Sequence, residues 1–315
     1  MDPVCDTLCD NPDSICCKAT EGRDRFLDFH RGGNSVKRKK RLHIAVLYAI
    51  LILVAIVMIF PFVWSVTASF KTSRQIYSGN PLDLIPNPAT LNNYRKALSV
   101  LPFHRFLLNS LVLATIVPVI SITLASMAAY SFARLQFKGR DFIFMLLLGV
   151  MMLPGHVTLI PRYALARKLG WINKYTALII PPIFSASLVF NIFFMRQHFL
   201  SIPRELEEAA LIDGCSPWGV WRNIIMPNSK PAIATLAIIG FKTEWNSFLW
   251  PNVVINDFLK MPIQVGLTYL QTNVQSSWDI LMAATTLSII PLIVIFMCFQ
   301  RYFMAGILTS GLGGR

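Results

Sequence analysis

Two ionisable side chains interrupt an apolar stretch of this sequence. Lys242 and Glu244 lie in "GFKTEWNSFLWP", which follows a long uncharged run. If that run crosses a membrane, both lie about 15 Å into it at 1.5 Å per residue. Ionisable groups at that depth should face protein or water rather than lipid. We therefore predict that Glu244 and Asn246 face a cavity, whereas Lys242 either joins them or extends toward the membrane surface.

Common catalytic and nucleotide-binding motifs are absent from the sequence. It contains no GxxxxGK[ST] phosphate loop, no HExxH metal helix and no GxSxG elbow, and its five histidines are dispersed. A polytopic membrane enzyme is therefore the weaker alternative. It stays open because a site can be assembled from distant helices.

The N-terminal region has its own chemistry. Cys5, Cys9, Cys16 and Cys17 lie close together, but their spacing lacks the paired CxxC arms of a zinc site, so we predict no metal there. The polar, turn-rich composition fits either a disordered tail or non-native residues added by an upstream start codon. We expect residues 1–41 to form a disordered cytoplasmic extension that ends in a basic membrane flank.

Apolar runs dominate the rest of the chain. Of the 315 residues 54% are hydrophobic and 14% charged, and several runs are too long for ordinary core helices. Strand alternation is absent, so we predict an all-α, polytopic membrane bundle, with a bend near Pro154 in its third span. The six predicted spans are Leu42 to Phe70, Phe106 to Phe132, Phe142 to Leu159, Tyr175 to Met195, Ala232 to Val254 and Ile280 to Phe299.

Basic residues near the span ends predict orientation. The run "KRKKR", Lys37 to Arg41, precedes the first span and favours a cytoplasmic N-terminus, and six spans return the C-terminus to that side. The third loop, with Arg162 among its charges, contradicts this simple rule. The net charge of +13 is explained by membrane flanks, so we expect contact with lipid and none with nucleic acid.

Residues 207–227, "EEAALIDGCSPWGVWRNIIMP", form an organised polar segment between apolar runs. Leu206, Ala209 and Ala210 follow the spacing of one apolar helix face. Asp213-Gly214 should end this helix, with Gly214 at positive φ. Ser216 and Pro217 have the character of a new helix start, and we expect the second helix to end before Pro227.

The same residues resemble a known motif. Glu208-Ala209-Ala210, three residues, Gly214, nine residues and then Ile224-x-Met226-Pro227 resembles the EAA loop of ABC-importer permeases, with Met226 in place of the usual leucine. The resemblance extends over residues 42–315 through "MAAYSFARLQFKGRD", "RQHFLSIPRELEEAALIDG" and "QRYFMAGI". It is strongest to carbohydrate-uptake permeases, in particular the six-helix partner subunit of maltose-type and glycerol-phosphate-type systems.

This resemblance implies an assembly and a location. Residues 42–315 would form the permease domain, with a coupling loop at 198–230, in the bacterial cytoplasmic (inner) membrane. The expected partners are a second permease, a dimer of cytoplasmic ABC ATPases and an external solute-binding protein. ATP and Mg²⁺ would lie on the ATPases, so we expect this chain to bind no cofactor and to be no enzyme.

The resemblance also implies roles for the coupling residues, and the polar and aromatic side chains of the apolar runs give a second set. Glu208 would make a charge-assisted contact with the ATPase, Ala209 and Ala210 would supply the close-fitting surface, and Gly214 the turn. The coupling set is Glu208, Ala209, Ala210, Asp213, Gly214, Ile224, Met226 and Pro227. The predicted translocation-pathway set is Asn191, Glu244, Trp245 and Asn246. The expected solute is a sugar or related polyol, with glycerol-3-phosphate as the alternative.

Overall fold

The computed structural model describes residues 43–78, 80, 83–100, 102–273 and 278–312, with backbone alone described at 78, 273 and from 299 onward. The expectations for residues 1–41, including the four cysteines, lie outside this range. The chain divides into two compact units, residues 1–64 and 65–315. In the first unit, residues 43–64 are helical and belong to α1 (His43–Ser69).

The described residues of the second unit form helices joined by short connections, and none of them lies in a strand. The helices are α2 (Ser73–Ser78), α3 (Asn92–Val100), α4 (Phe103–Arg134), α5 (Arg140–Met151), α6 (Leu159–Lys168), α7 (Tyr175–Ile183), α8 (Ala186–Leu200), α9 (Glu205–Ile212), α10 (Pro217–Val220), a π-helix (Trp221–Ile225), α11 (Met226–Asn228), α12 (Lys230–Trp245), α13 (Leu249–Val254), a 3₁₀ turn (Phe258–Lys260), α14 (Ile263–Asn273) and α15 (Trp278–Leu312).

Long apolar helices identify the membrane-crossing part of the chain. Among the described residues, three are long and apolar enough to cross a bilayer, namely α1, α4 and the Trp278–Cys298 part of α15. Two bent pairs bring the number to five if each is one span: α7 with α8, bent by 41°, and Pro217–Asn228 with α12, bent by 77°. The predicted all-α, polytopic membrane bundle is confirmed. The predicted orientation of the termini stays a prediction.

The third predicted span, Phe142 to Leu159, is not one long helix. The α5 helix ends at Met151, and α6 begins only at Leu159. Pro154 lacks the N–H that a continuing helix would use, and Gly155 does not favour a helix, so the chain breaks where the bend was predicted. This break is the reason that the described helices give at most five candidate spans rather than the predicted six.

The central helix of the second unit is α4, which packs most extensively against α8 and α12. Ser121, Ala125 and Ala129 recur at four-residue spacing and are buried on this contact face. Small side chains at that spacing let neighbouring helices approach closely, which suits association within a membrane. Consecutive prolines, Pro181 and Pro182, lie where α7 ends and account for its bend against α8.

Candidate functional site

The predicted helix–turn–helix is present between α8 and α12. The first helix, α9, ends at Ile212, and Gly214 has φ 81°. The N–H of Gly214 donates to the carbonyl of Leu211 at 3.1 Å, and the N–H of Cys215 donates to that of Ala210 at 2.9 Å. A left-handed residue just after a helix is the position that favours glycine, so the predicted turn is confirmed.

The second helix begins as predicted but ends later. The hydroxyl of Ser216 accepts from the N–H of Gly219 at 3.2 Å, and Pro217 takes the first helical position. The chain then passes through the π-helix and α11 before the 77° bend into α12. The expected end before Pro227 was wrong. Pro227 lies in the first turn of α11, where an absent N–H is tolerated.

The buried face of α9 differs from the predicted apolar face. Leu206 is 47% exposed and Ala209 is also exposed, whereas Glu207 and Ala210 are buried. Apolar spacing in a sequence does not show an inward-facing carboxylate. Ala210 packs in the hydrophobic core of the chain itself, whereas Ala209 is exposed, and the partner contact expected of both stays a prediction.

An ion pair explains the inward orientation of Glu207. Its Oε1 lies 2.6 Å from Nε of Arg134 at the end of α4, and the two side chains are 10% and 5% exposed. Burial raises the pKa of the Glu207 carboxyl, while Arg134 and Arg204 act in the opposite direction. Sequence reasoning missed this pair because Arg134 resembles any basic residue at the end of a membrane helix.

The outward face of the same segment combines one acidic and several apolar side chains. Glu208 is exposed beside Ala209, and Ile212, 86% exposed, lies one turn further along α9. Trp218 at the start of the second helix is also exposed. Exposed apolar side chains grouped in this way are typical of a protein contact. Of the other predicted coupling residues, Asp213 and Pro227 are exposed, and Ile224 and Met226 are half-buried.

A cavity of about 260 Å³ lies between α4, α7, α8 and α12. Two predicted pathway residues, Asn191 and Glu244, line it, together with the polar side chains of Ser121, Ser187 and Thr243. The Nδ2 of Asn191 donates to the hydroxyl of Ser121 at 3.1 Å. Polar groups that converge on a cavity among membrane helices can hydrogen-bond a hydroxylated solute.

The other two predicted pathway residues lie elsewhere. Trp245 is 2% exposed and stacks on Phe241, with ring centroids 5.5 Å apart. The Nδ2 of Asn246 donates to the carbonyl of Lys242 at 3.0 Å, and its Oδ1 accepts from Gln264 at 3.4 Å. Neither of them lines the cavity, and neither does Lys242, which is exposed.

Arg162 is a second residue that sequence reasoning missed. Its guanidinium lies 4.4 Å from the ring centroid of Trp250 and interacts electrostatically with Glu244. The sequence shows Arg162 only as a loop charge, because α6 was expected to lie outside the bundle. Within the described parts of the chain, no group of three or more His, Cys, Asp or Glu side chains could hold a metal ion.

A family model described as "Binding-protein-dependent transport system inner membrane component" matches residues 121–308, which include the end of α4, all of α7, α8 and α12, and the helix–turn–helix. The chain belongs to this family. It is therefore a multi-pass inner-membrane permease subunit of an ABC importer, and ATP hydrolysis takes place in separate subunits. The predicted class is confirmed.

Curated relatives of this permease share about a third of its residues. It is 36% identical over 265 residues to the arabinooligosaccharides transport system permease protein AraQ of Halalkalibacterium halodurans (83% of this chain, 93% of that one). The trehalose/maltose permease protein MalG of Thermococcus litoralis is 33% identical (84% and 94%). The sn-glycerol-3-phosphate permease protein UgpE of Brucella abortus is 35% identical (84% and 95%).

A solved structure shares its fold. A chain of a bacterial ABC transporter involved in the import of the acidic polysaccharide alginate superposes with a TM-score of 0.74 at 25% identity, covering 84% of this permease and 98% of that chain. A second alginate-transporter chain, from a complex with an alginate pentasaccharide-bound periplasmic protein, has a TM-score of 0.57 at 18% identity and covers 80% and 91%. The latter supports the fold alone.

Proposed function

We propose that this permease moves a sugar or related polyol in an ATP-driven importer. The observation that carries the proposal is the cavity between α4, α7, α8 and α12, on which several polar side chains converge, in a chain whose relatives include permeases named for arabinooligosaccharides and for trehalose and maltose. Hydroxyl groups of a solute can donate to Glu244 and both donate to and accept from Asn191. The cavity forms the part of the translocation pathway that this chain contributes.

Glycerol-3-phosphate is the second candidate, because a relative at 35% identity is named for it. Glu244 is the one ionisable side chain among the residues that line the cavity, and Arg162 is not one of them, so this lining offers no cation to a phosphate. A hydroxylated solute needs only hydrogen-bonding groups, which Asn191, Ser121 and Glu244 supply. The lining of the cavity therefore favours the sugar.

The working complex would contain a second permease, a dimer of ATPases that bind ATP and Mg²⁺, and an external binding protein. Glu208 would contact a basic group on an ATPase, and Ile212 and Trp218 would pack into an apolar cleft on it. This assignment is supported by the exposure of all three side chains on one segment. A charge-assisted contact surrounded by apolar side chains is a common arrangement in a protein interface.

Purification of the tagged chain from its native host tests the assembly. We expect a second permease and an ATPase to co-purify, and the complex in proteoliposomes to take up solute only with ATP and binding protein. Glu208→Lys should reduce ATPase recovery, whereas Glu205→Lys, on the same helix, should not. Unchanged ATPase recovery with Glu208→Lys would contradict the contact.

A panel of solutes offered to the associated binding protein and then to the proteoliposomes tests the substrate class. Saturable binding and uptake of an oligosaccharide are expected. Exclusive binding and uptake of glycerol-3-phosphate would replace the first candidate by the second.

A further inference from the structure

Arg134 lies where three elements of the permease meet. Its Nε contacts the carboxylate of Glu207 on α9, and its Nη2 donates to the carbonyls of Phe199 and Ile202 at 2.6 Å each. Arg134 itself is at the last position of α4. One guanidinium therefore joins the end of α4, the end of α8 and the first helix of the coupling loop.

From these contacts we infer that Arg134 is a positioning residue for coupling: with Glu207 it makes α4, α8 and α9 move as one body. The inference rests on the proposed function, because it concerns how movement of the coupling loop reaches the solute cavity. It differs from the ATPase contact assigned to Glu208, which is exposed on α9.

Both α4 and α8 lead from this junction to the cavity. Ser121 lines the cavity and lies thirteen residues before Arg134, about 20 Å along α4 at 1.5 Å per residue. Asn191 also lines it and lies eight residues before Phe199, about 12 Å along α8. The side chains of Ser121 and Asn191 hydrogen-bond each other, so the two helices are joined at both ends of this segment.

Burial makes the junction stiff. Both charged side chains are nearly excluded from solvent, and Arg134 also donates to two main-chain carbonyls. In such surroundings an ion pair is screened little by water, and loss of one partner leaves the other buried without compensation. The coupling loop connects to α12 along the chain, through the 77° bend before Lys230.

Glu207→Gln tests the inference while preserving the size of the side chain and the Arg134 contacts to both carbonyls. We expect the complex to keep its ATPase and its basal ATP hydrolysis within about twofold. Binding-protein-dependent uptake should fall by about tenfold or more, the size expected for one charge-assisted contact. Glu205→Gln, an exposed glutamate of the same helix, is the matched control and should change neither activity. Uptake within about twofold of wild type in Glu207→Gln would overturn the inference.

Two further arms separate coupling from folding. In Arg134→Gln/Glu207→Gln no charge is left unpaired, so assembly should match wild type while uptake stays low; normal uptake would show that the pair serves folding alone and would overturn the inference. In the second arm the ion pair is intact. Spin labels at Leu135→Cys and Leu206→Cys, in a chain without its six native cysteines, should keep one separation with and without ATP. A change in that separation on ATP binding would overturn the single-body movement whatever the variants do.

These results are distinguishable from failure of the proposed function. If the wild-type complex contains no ATPase or shows no ATP-dependent uptake, the importer assignment itself fails. If the wild type transports solute and Glu207→Gln transports equally well, only the role of the Arg134–Glu207 pair fails.

Discussion

Gly240 of α12 packs directly against Pro118 of α4. A β-carbon on residue 240 would lie 2.8 Å from Cβ of Pro118, closer than real side chains approach. Both residues line the cavity between α4, α7, α8 and α12, near the middle of α4. The absence of a side chain at 240 therefore sets the spacing between two cavity walls.

Gly240→Ala should destabilise the permease by about 1–3 kcal/mol, because overpacking at a rigid proline forces backbone movement. Gly240→Val should destabilise the permease more than Gly240→Ala does. The measurement is thermal unfolding of the purified complex, together with solute uptake. Gly149→Ala is the matched control: it lies in α5, has open space at its Cβ and should be neutral or slightly stabilising. Equal stability of Gly240→Ala and wild type would show that α4 and α12 can separate freely.

A second glycine prediction concerns the turn of the coupling loop. Gly214 has φ 81°, and a β-carbon added to it would meet no atom within 4 Å, so the penalty of a substitution is conformational alone. Gly214→Ala should cost about 1–2 kcal/mol in the left-handed region, whereas Gly214→Asn should cost less. Gly214→Val should abolish uptake.

Uptake and ATPase recovery measure the outcome. We expect the order wild type, Asn, Ala, Val at residue 214 in both measurements. If the valine variant transports as well as wild type, the turn is not required for coupling. If all three substitutions are equally inactive, the cause is not the backbone angle.

The sequence was informative where one residue type fixes local geometry. Gly214 at positive φ, the Ser216 cap and the break near Pro154 all occur as predicted. These features depend on the backbone chemistry of single residues, which neighbours rarely override. The sequence also predicts a membrane protein, because apolar runs of this length are typical of helices that cross a bilayer.

Contacts between distant segments were not predictable in the same way. Arg134 and Glu207 are 73 positions apart by sequence number, and no local pattern shows that a glutamate will face inward. The grouping of Asn191 with Glu244 came from their polarity within apolar runs, and the structure places both in one cavity. Trp245 was grouped with them as an aromatic side chain that could contact the solute, but successive residues of a helix point in different directions.

A third prediction concerns Asn109, whose side chain holds a distant segment. Its Nδ2 donates to the carbonyls of Leu259 and Met261 at 2.9 and 3.1 Å, and its Oδ1 accepts from the hydroxyl of Tyr175 at 3.0 Å. Asn109→Leu leaves those partners without this side chain and should destabilise the protein by about 2–4 kcal/mol. Tyr175→Phe removes one bond and should cost about 1 kcal/mol. Thermal unfolding of both variants gives the comparison, and an equal effect would contradict a role for the two carbonyl contacts.

The fourth prediction concerns the charges beside the cavity. Glu244 lines it, and Arg162 interacts with Glu244 electrostatically. Glu244→Gln removes a charged acceptor from the proposed pathway and should lower uptake of a neutral sugar by about tenfold. Arg162→Gln should also lower uptake, since it leaves the Glu244 carboxylate without its positive neighbour.

The double variant tells these two effects apart. In Arg162→Gln/Glu244→Gln neither charge remains unpaired, so any defect due to the loss of pairing should disappear. Because Glu244 would bind solute hydroxyls directly, we expect uptake by the double variant to stay as low as with Glu244→Gln alone. Arg167→Gln, an exposed arginine of the same helix, controls for loss of positive charge and should have no effect. Recovery of uptake in the double variant would make Glu244 a structural partner of Arg162 rather than a solute contact.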